Sequence, residues 1–170
     1  MGTTKLTPDL RAESVRSIDP AALGRRGIRL VVLDVDNTLT THNHPDPAPG
    51  VRDWLASLRT AGITGVILSN NSAERVAPFA DKLGLPFESR GMKPLTCGFR
   101  RLCARYGVSP EAVAVVGDQL FTDILGANRA GMHSILTRPI EPEAGPFFRF
   151  KRALERAILR DPHWMRSLLA

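Results

Sequence analysis

The 170-residue chain is 43% hydrophobic and 24% charged, the composition of a globular domain that can bury a core, and no run approaches the roughly 20 apolar residues needed to cross a bilayer. The polar start, Met1-Gly2-Thr3-Thr4-Lys5, lacks the apolar stretch of a secretory signal, so a cytoplasmic location is expected. A formal net charge of +6 favours anionic partners such as phosphates, nucleic acid or an acidic membrane surface without choosing among them.

Residues 1–28 carry scattered charge and Pro20 and read as an extension. Short apolar runs follow at 30–33, 65–68, 112–116 and 134–136, and a weaker one at 86–88 completes a predicted set of about five strands. Runs this short, apolar throughout and rich in branched residues suit strands covered on both faces of a parallel sheet. The segments between them have helical character. Trp54, Leu55 and Leu58 share an apolar face, and Gly62, Gly84, Gly107 and Gly131 fit the left-handed position that closes a helix before the next strand. Asn71 with Glu74 resembles a capping box, and Pro94 suits a first helical turn. The fold class is therefore α/β, a doubly wound (Rossmann-like) parallel sheet with helices on both faces.

Cys97 and Cys103, six residues apart on one predicted helix, point to different sides and read as reduced thiols with neither a disulfide nor a metal between them. Beyond Pro139, Phe147, Phe150, Leu154, Ala157 and Ile158 recur at helical spacing, with Arg149, Arg152, Arg156 and Arg160 largely elsewhere. This predicts a basic amphipathic helix that could lie on an anionic membrane or pack on the body, packing being the preferred account. Residues 1–170 are expected to form one domain with its core at about 28–140.

In an open parallel sheet, loops and helix N-termini converge beyond the carboxyl ends of the strands. Four polar signals fall there: Asp34-Val35-Asp36-Asn37-Thr38, Ser69-Asn70-Asn71, Lys93-Pro94, and Gly117-Asp118 with Asp123. Two carboxylates at the end of an apolar strand are costly without a function. Crowded carboxylates repel one another, and a hard oxygen site with few protein ligands suits magnesium. With a metal and Lys93 offsetting phosphate charge, Asp34 can attack phosphorus, and Asp36 can protonate the leaving oxygen and later activate water. Ser69 and the helix N-terminus after it offer donors to phosphate oxygens. His42 and His44, in the proline-rich loop 41–49, read as solvated loop residues.

These four ordered motifs resemble those of the haloacid dehalogenase superfamily of phosphatases. More narrowly, Ser69-Asn70-Asn71, Lys93-Pro94 with Phe99-Arg100-Arg101, and the run from Gly117 through Asp123 to Gly131 resemble the YqeG-type group of subfamily IIIA. The resemblance implies a magnesium-dependent phosphate-monoester hydrolase working through an aspartyl phosphate. In it Asp34 is the nucleophile and Asp36 the acid/base; Asp34, the main-chain carbonyl of Asp36, and Asp118 hold Mg2+. Ser69, Asn70 and Lys93 bind the substrate phosphate, with Thr38 and Asp123 in support. Subfamily IIIA lacks a cap domain, and the short spans from Thr40 to Ser69 and from Asn71 to Lys93 leave no room for one, so an open site is expected. Eukaryotic relatives of the group resemble phosphatidylglycerophosphate phosphatases, which makes a lipid phosphate at an anionic membrane surface one substrate candidate. A small soluble metabolite or nucleotide is the alternative.

A receiver-type signalling domain would combine similar residues, but it carries its acceptor Asp on the third strand, whereas here Asp-x-Asp follows the first. A non-catalytic scaffold that binds phosphate or nucleic acid is the other alternative. The single Tyr of the chain offers little stacking, and the acidic cluster would repel a nucleic-acid backbone.

Overall fold

The computed structural model describes residues 5–42 and 44–141; the basic helix expected between Phe147 and Arg160 lies outside them. In chain order the elements are β1 (Leu10–Ala12), α1 (Pro20–Arg25), β2 (Leu30–Leu33), α2 (Val51–Thr60), β3 (Thr64–Leu68), α3 (Ala73–Leu83), β4 (Phe87–Glu88), α4 (Cys97–Tyr106), β5 (Val113–Gly117), α5 (Leu125–Ala130) and β6 (His133–Thr137). A single π-helical turn, Leu120–Ile124, leads into α5. The strands form one parallel sheet in the order β1-β6-β5-β2-β3-β4.

Successive strand residues face opposite sides of a sheet, and both sides here are covered. Val31 and Leu33 of β2, Ile67 of β3 and Val116 of β5 pack with Trp54 and Leu58 of α2 and with Val76 and Phe79 of α3. Leu30, Val32, Val66, Leu68 and Val115 pack on the other face with Phe99 and Leu102 of α4 and Ala127 of α5. Every residue of β2 and β5, and all of β3 but Thr64 at its start, is therefore inside, which is why their sequences run apolar without alternation. Each such branched side chain contributes about 1.5–3 kcal/mol on full burial.

The sheet has six strands rather than five because the N-terminal segment is built into the body. Leu10 pairs with Ile135 and Ala12 with Thr137. The Asp9 N–H donates to the Ser134 carbonyl at 3.0 Å, and the Ser134 N–H donates to Asp9 Oδ2 at 2.9 Å. Val15, Ile18, Leu23 and Ile28 enter the core, and the Trp54 Nε1–H donates to the Ile18 carbonyl at 2.9 Å. A three-residue edge strand with one buried side chain has no hydrophobic period to reveal it.

Gly84, Gly107 and Gly131 close α3, α4 and α5 in the left-handed conformation. The helix starts differ from the sequence reading: α3 is capped at Ser72 rather than Asn71, and α4 begins at Cys97, beyond Pro94. Cys97 and Cys103 are free thiols on α4. Among the described residues no helix is long and apolar enough to cross a membrane. From β2 the chain steps to β3 on one side, while β5 pairs with β2 on the other. The carboxyl ends of β2 and β5 are consequently the topological switch point of the sheet, where the loops after neighbouring strands diverge and ligands bind in such folds.

Candidate active site

The chain leaves β2 through a turn that the core holds in place. The Asp34 N–H extends the ladder to the Val116 carbonyl at 3.0 Å, and the Val35 carbonyl then accepts from the N–H groups of Thr38, Leu39 and Thr40 at 2.9–3.2 Å. Val35 and Leu39 are buried on either side of the bend. Asn37 takes φ 61°, a left-handed conformation that Asn tolerates better than most residues. Asp34 and Asp36 emerge with separate partners.

Asp34 meets a buried lysine. Lys93 Nζ donates to Asp34 Oδ1 at 2.7 Å and to Asp123 Oδ1 at 2.6 Å. Considered alone, Lys93 resembles a surface lysine, yet its side chain is only 4% exposed and that of Asp123 1%. Burial works against the Lys93 ammonium, but the Asp123 and Asp34 carboxylates outweigh it and raise its pKa above the usual value. Burial pushes the Asp34 carboxyl up to about 6, against the pull of Lys93. Asp118 follows β5 and is also buried. One carboxylate oxygen each from Asp34, Asp118 and Asp123 lie within 4.8 Å of one another, an all-oxygen donor set that fits a hard divalent cation. Gly117 makes the cluster possible: a Cβ there would sit 2.3 Å from Asp123 Cγ.

Ser69 follows β3, buried, with its Oγ accepting from the Asn71 N–H at 3.1 Å. The Asn70 side chain is engaged with the Lys93 main chain, its Nδ2 donating to the carbonyl at 3.0 Å and its Oδ1 accepting from the N–H at 2.7 Å. Asn70 thus fixes the lysine's backbone. Thr38 is buried, its hydroxyl without a hydrogen-bond partner among the described residues.

Asp36 points elsewhere. Its Oδ2 accepts from Asn71 Nδ2 at 2.8 Å and its Oδ1 from Arg75 at 3.2 Å, with His42 Nδ1 3.6 Å away. His44 turns instead to the main chain of Asp46. The sequence reading placed Asn71 and Gly117 in motifs but did not foresee the hold of Asn71 and Arg75 on Asp36, the space that Gly117 leaves for Asp123, or the contact of His42 with Asp36. The four-residue step from Asn71 to Arg75, bringing side chains to one side of a helix start, was the available signal.

Residues 44–131 match the haloacid dehalogenase-like hydrolase family. Together with the parallel sheet and the carboxylate cluster at its switch point, this defines the class: the chain belongs to the haloacid dehalogenase-like hydrolase family and is a phosphatase. Over 152 residues it is 37% identical to the Bacillus subtilis (strain 168) protein named "Probable phosphatase YqeG", across 89% of this chain and 88% of that one. It is 30% identical over 149 residues to the chloroplastic phosphatidylglycerophosphate phosphatase 1 of Chlamydomonas reinhardtii, across 82% of this chain and 55% of that one. Its fold is shared with the cobalt-bound deoxy-D-mannose-octulosonate 8-phosphate phosphatase YrbI of Haemophilus influenzae, at TM-score 0.54 and 19% identity, over 79% of this chain and 89% of that one.

Proposed function

We propose that the chain hydrolyses phosphate monoesters with magnesium bound, through a phosphoaspartate on Asp34. The observation that carries this reading is the buried cluster in which Lys93 Nζ lies within 2.7 Å of both Asp34 and Asp123, with Asp118 alongside. Asp34, Asp118 and the main-chain carbonyl of Asp36 would hold the cation, which when bound offsets the charge of phosphate facing carboxylates. Ser69 Oγ and Lys93 Nζ hold phosphate oxygens, joined by the main-chain N–H of Asn70. An Asp34 oxygen attacks phosphorus; the ester P–O bond breaks, and its electron pair leaves with the ester oxygen, which takes the proton of the Asp36 carboxyl. The Asp36 carboxylate then takes a proton from water, the water oxygen attacks phosphorus, and the bond to Asp34 breaks to release phosphate. Asp123 holds Lys93 in place, and Thr38 supports the turn between the two aspartates.

The test is phosphate release by wild type and Asp34→Asn, with and without a chelator. The amide keeps the shape but cannot attack, so turnover should fall by at least about 10⁴-fold, with an unchanged circular dichroism spectrum. Chelation should silence the wild type. A pure Asp34→Asn protein that turns over normally, or full activity without metal, removes the mechanism.

The reading extends to an anionic lipid phosphate such as phosphatidylglycerophosphate, met by a protein peripheral to the membrane. The algal relative supports it, and so does the rim of the site. The large apolar side chains exposed among the described residues are Met92 (52%), Leu95 (56%) and Ile140 (39%). Met92 and Leu95 flank Lys93, and the Ile140 N–H donates to the Asn37 carbonyl, so both loops border the mouth. An apolar rim suits substrates presented from a bilayer better than soluble metabolites. Turnover of the lipid phosphate in anionic vesicles should exceed that of soluble glycerol phosphate at equal concentration; a preference for the soluble ester would favour the metabolite alternative.

A further inference from the structure

The Asp36 carboxylate lies apart from the Lys93 cluster and takes side-chain donors on both of its oxygens. Oδ2 accepts from Asn71 Nδ2 at 2.8 Å and Oδ1 from Arg75 at 3.2 Å, so the two oxygens have different donors, both from the start of α3. Two donors on two oxygens fix the plane of a carboxylate, where one would leave it free to turn. The cation that could otherwise draw it inward is already engaged, Lys93 Nζ lying between Asp34 and Asp123.

Asn71 is tied down on every side. Its N–H donates to Ser69 Oγ at 3.1 Å, its carbonyl accepts from the Arg90 N–H at 2.9 Å, and its side chain reaches Asp36. The same residue therefore joins the Ser69 turn, the loop that delivers Lys93, and the Asp36 carboxyl. The next residue but one past Arg90 is Met92, and both adopt positive φ, 48° and 53°. Such backbone persists only where its surroundings over-determine it. Arg75 is 40% exposed and sits at the mouth, one turn along from Asn71.

We propose that Asn71 and Arg75 are positioning residues that aim the Asp36 carboxyl at the leaving oxygen, so that their loss slows the reaction in proportion to how much that oxygen needs a proton. This rests on Asp36 being the acid of the proposed hydrolysis. General acid catalysis contributes about 10²–10⁴-fold to release of a basic leaving group, whereas p-nitrophenolate departs without help. Arg75→Ala and Asn71→Ala should therefore lower kcat/KM, which reports the steps through departure of the alcohol, by about 10–100-fold for an alkyl phosphate such as glycerol 3-phosphate. On p-nitrophenyl phosphate they should change kcat/KM by less than about threefold; the later hydrolysis of the phosphoaspartate, in which Asp36 serves as base whichever ester was cleaved, enters kcat alone.

The experiment measures kcat and KM on the two esters in magnesium buffer for the full chain. The proteins are wild type, Arg75→Ala, Arg75→Lys, Asn71→Ala, Asp36→Asn, and Arg75→Ala combined with Asp36→Asn, with thermal melts as a control. The proposal expects partial recovery in Arg75→Lys and no further loss on adding Arg75→Ala to Asp36→Asn, because both act through one carboxyl. Arg75 is exposed, so its variants keep the proposal testable even if Asn71→Ala fails to fold. Equal losses of kcat/KM on both esters, or full additivity with Asp36→Asn, would overturn it, an equal loss carried by KM making Arg75 a substrate-binding group. A wild-type protein inactive on both esters would instead remove the hydrolase reading beneath it.

Discussion

Replacing Lys93 with Met tests the buried cluster through stability rather than rate. Methionine fills nearly the same volume, so the change removes charge and two hydrogen bonds while leaving little cavity. The side chains involved are 4% (Lys93), 13% (Asp34) and 1% (Asp123) exposed, so solvent screening offers little relief. Removing one partner of a buried ion pair costs about 3–5 kcal/mol. At about 2–4 °C per kcal/mol for a chain of this size, the melting temperature should drop by about 6–20 °C in chelator. Magnesium should raise the variant's melting temperature, since a cation bound to the same carboxylates restores the missing charge. The pH dependence has a definite sign. Burial already raises the Asp34 carboxyl, and without the pull of Lys93 its folded-state pKa stands further above its unfolded one, so the folded state binds a proton more readily and stability is lost as pH rises through the folded value. The deficit should be smaller at pH 5 than at pH 8. Differential scanning calorimetry at both pH values, in chelator and in magnesium, decides the matter. A fall of less than about 2 °C at pH 8 in chelator would mean that the lysine does not neutralise this cluster.

Gly117→Ala should place a Cβ 2.3 Å from Asp123 Cγ, an overpacking worth about 1–3 kcal/mol. Because Asp123 must retreat from Lys93, turnover should fall by more than the modest loss in melting temperature suggests; unchanged melting and activity would show that Asp123 is free to move. Asp9→Ala removes the acceptor of the Ser134 N–H and leaves a buried donor unmatched, at a cost of about 1–3 kcal/mol. Urea unfolding should register that loss, and hydrogen exchange should speed up at residues 10–12; an unaffected edge strand would show that Asp9 does not anchor it.

How far the sequence discloses this site depends on where each residue finds its partner. Asp34, Asp36 and Asp118 are legible because a carboxylate at the end of an apolar strand is chemically expensive wherever it is met. The central strands are legible because burial on both faces leaves an uninterrupted apolar run. Lys93 lies in a stretch without period, and its burial comes from Asp34, 59 positions back, and Asp123, 30 positions on, contacts that no local pattern encodes. Asn71 shows the opposite failure. Asn followed by Glu three residues later is a sound local signature for a helix cap, but Ser72 takes the capping position, and the Asn71 amide reaches Asp36, 35 residues away. Ser72 makes no side-chain cap hydrogen bond, so this helix start forgoes local stabilisation of about 1 kcal/mol, while the Asn71 amide serves as a second donor on the Asp36 carboxylate. Departures from local preference at a sheet's switch point are therefore where positioning residues should be sought, and Arg75, four residues beyond Asn71 and on the same carboxylate, is the companion such a search finds.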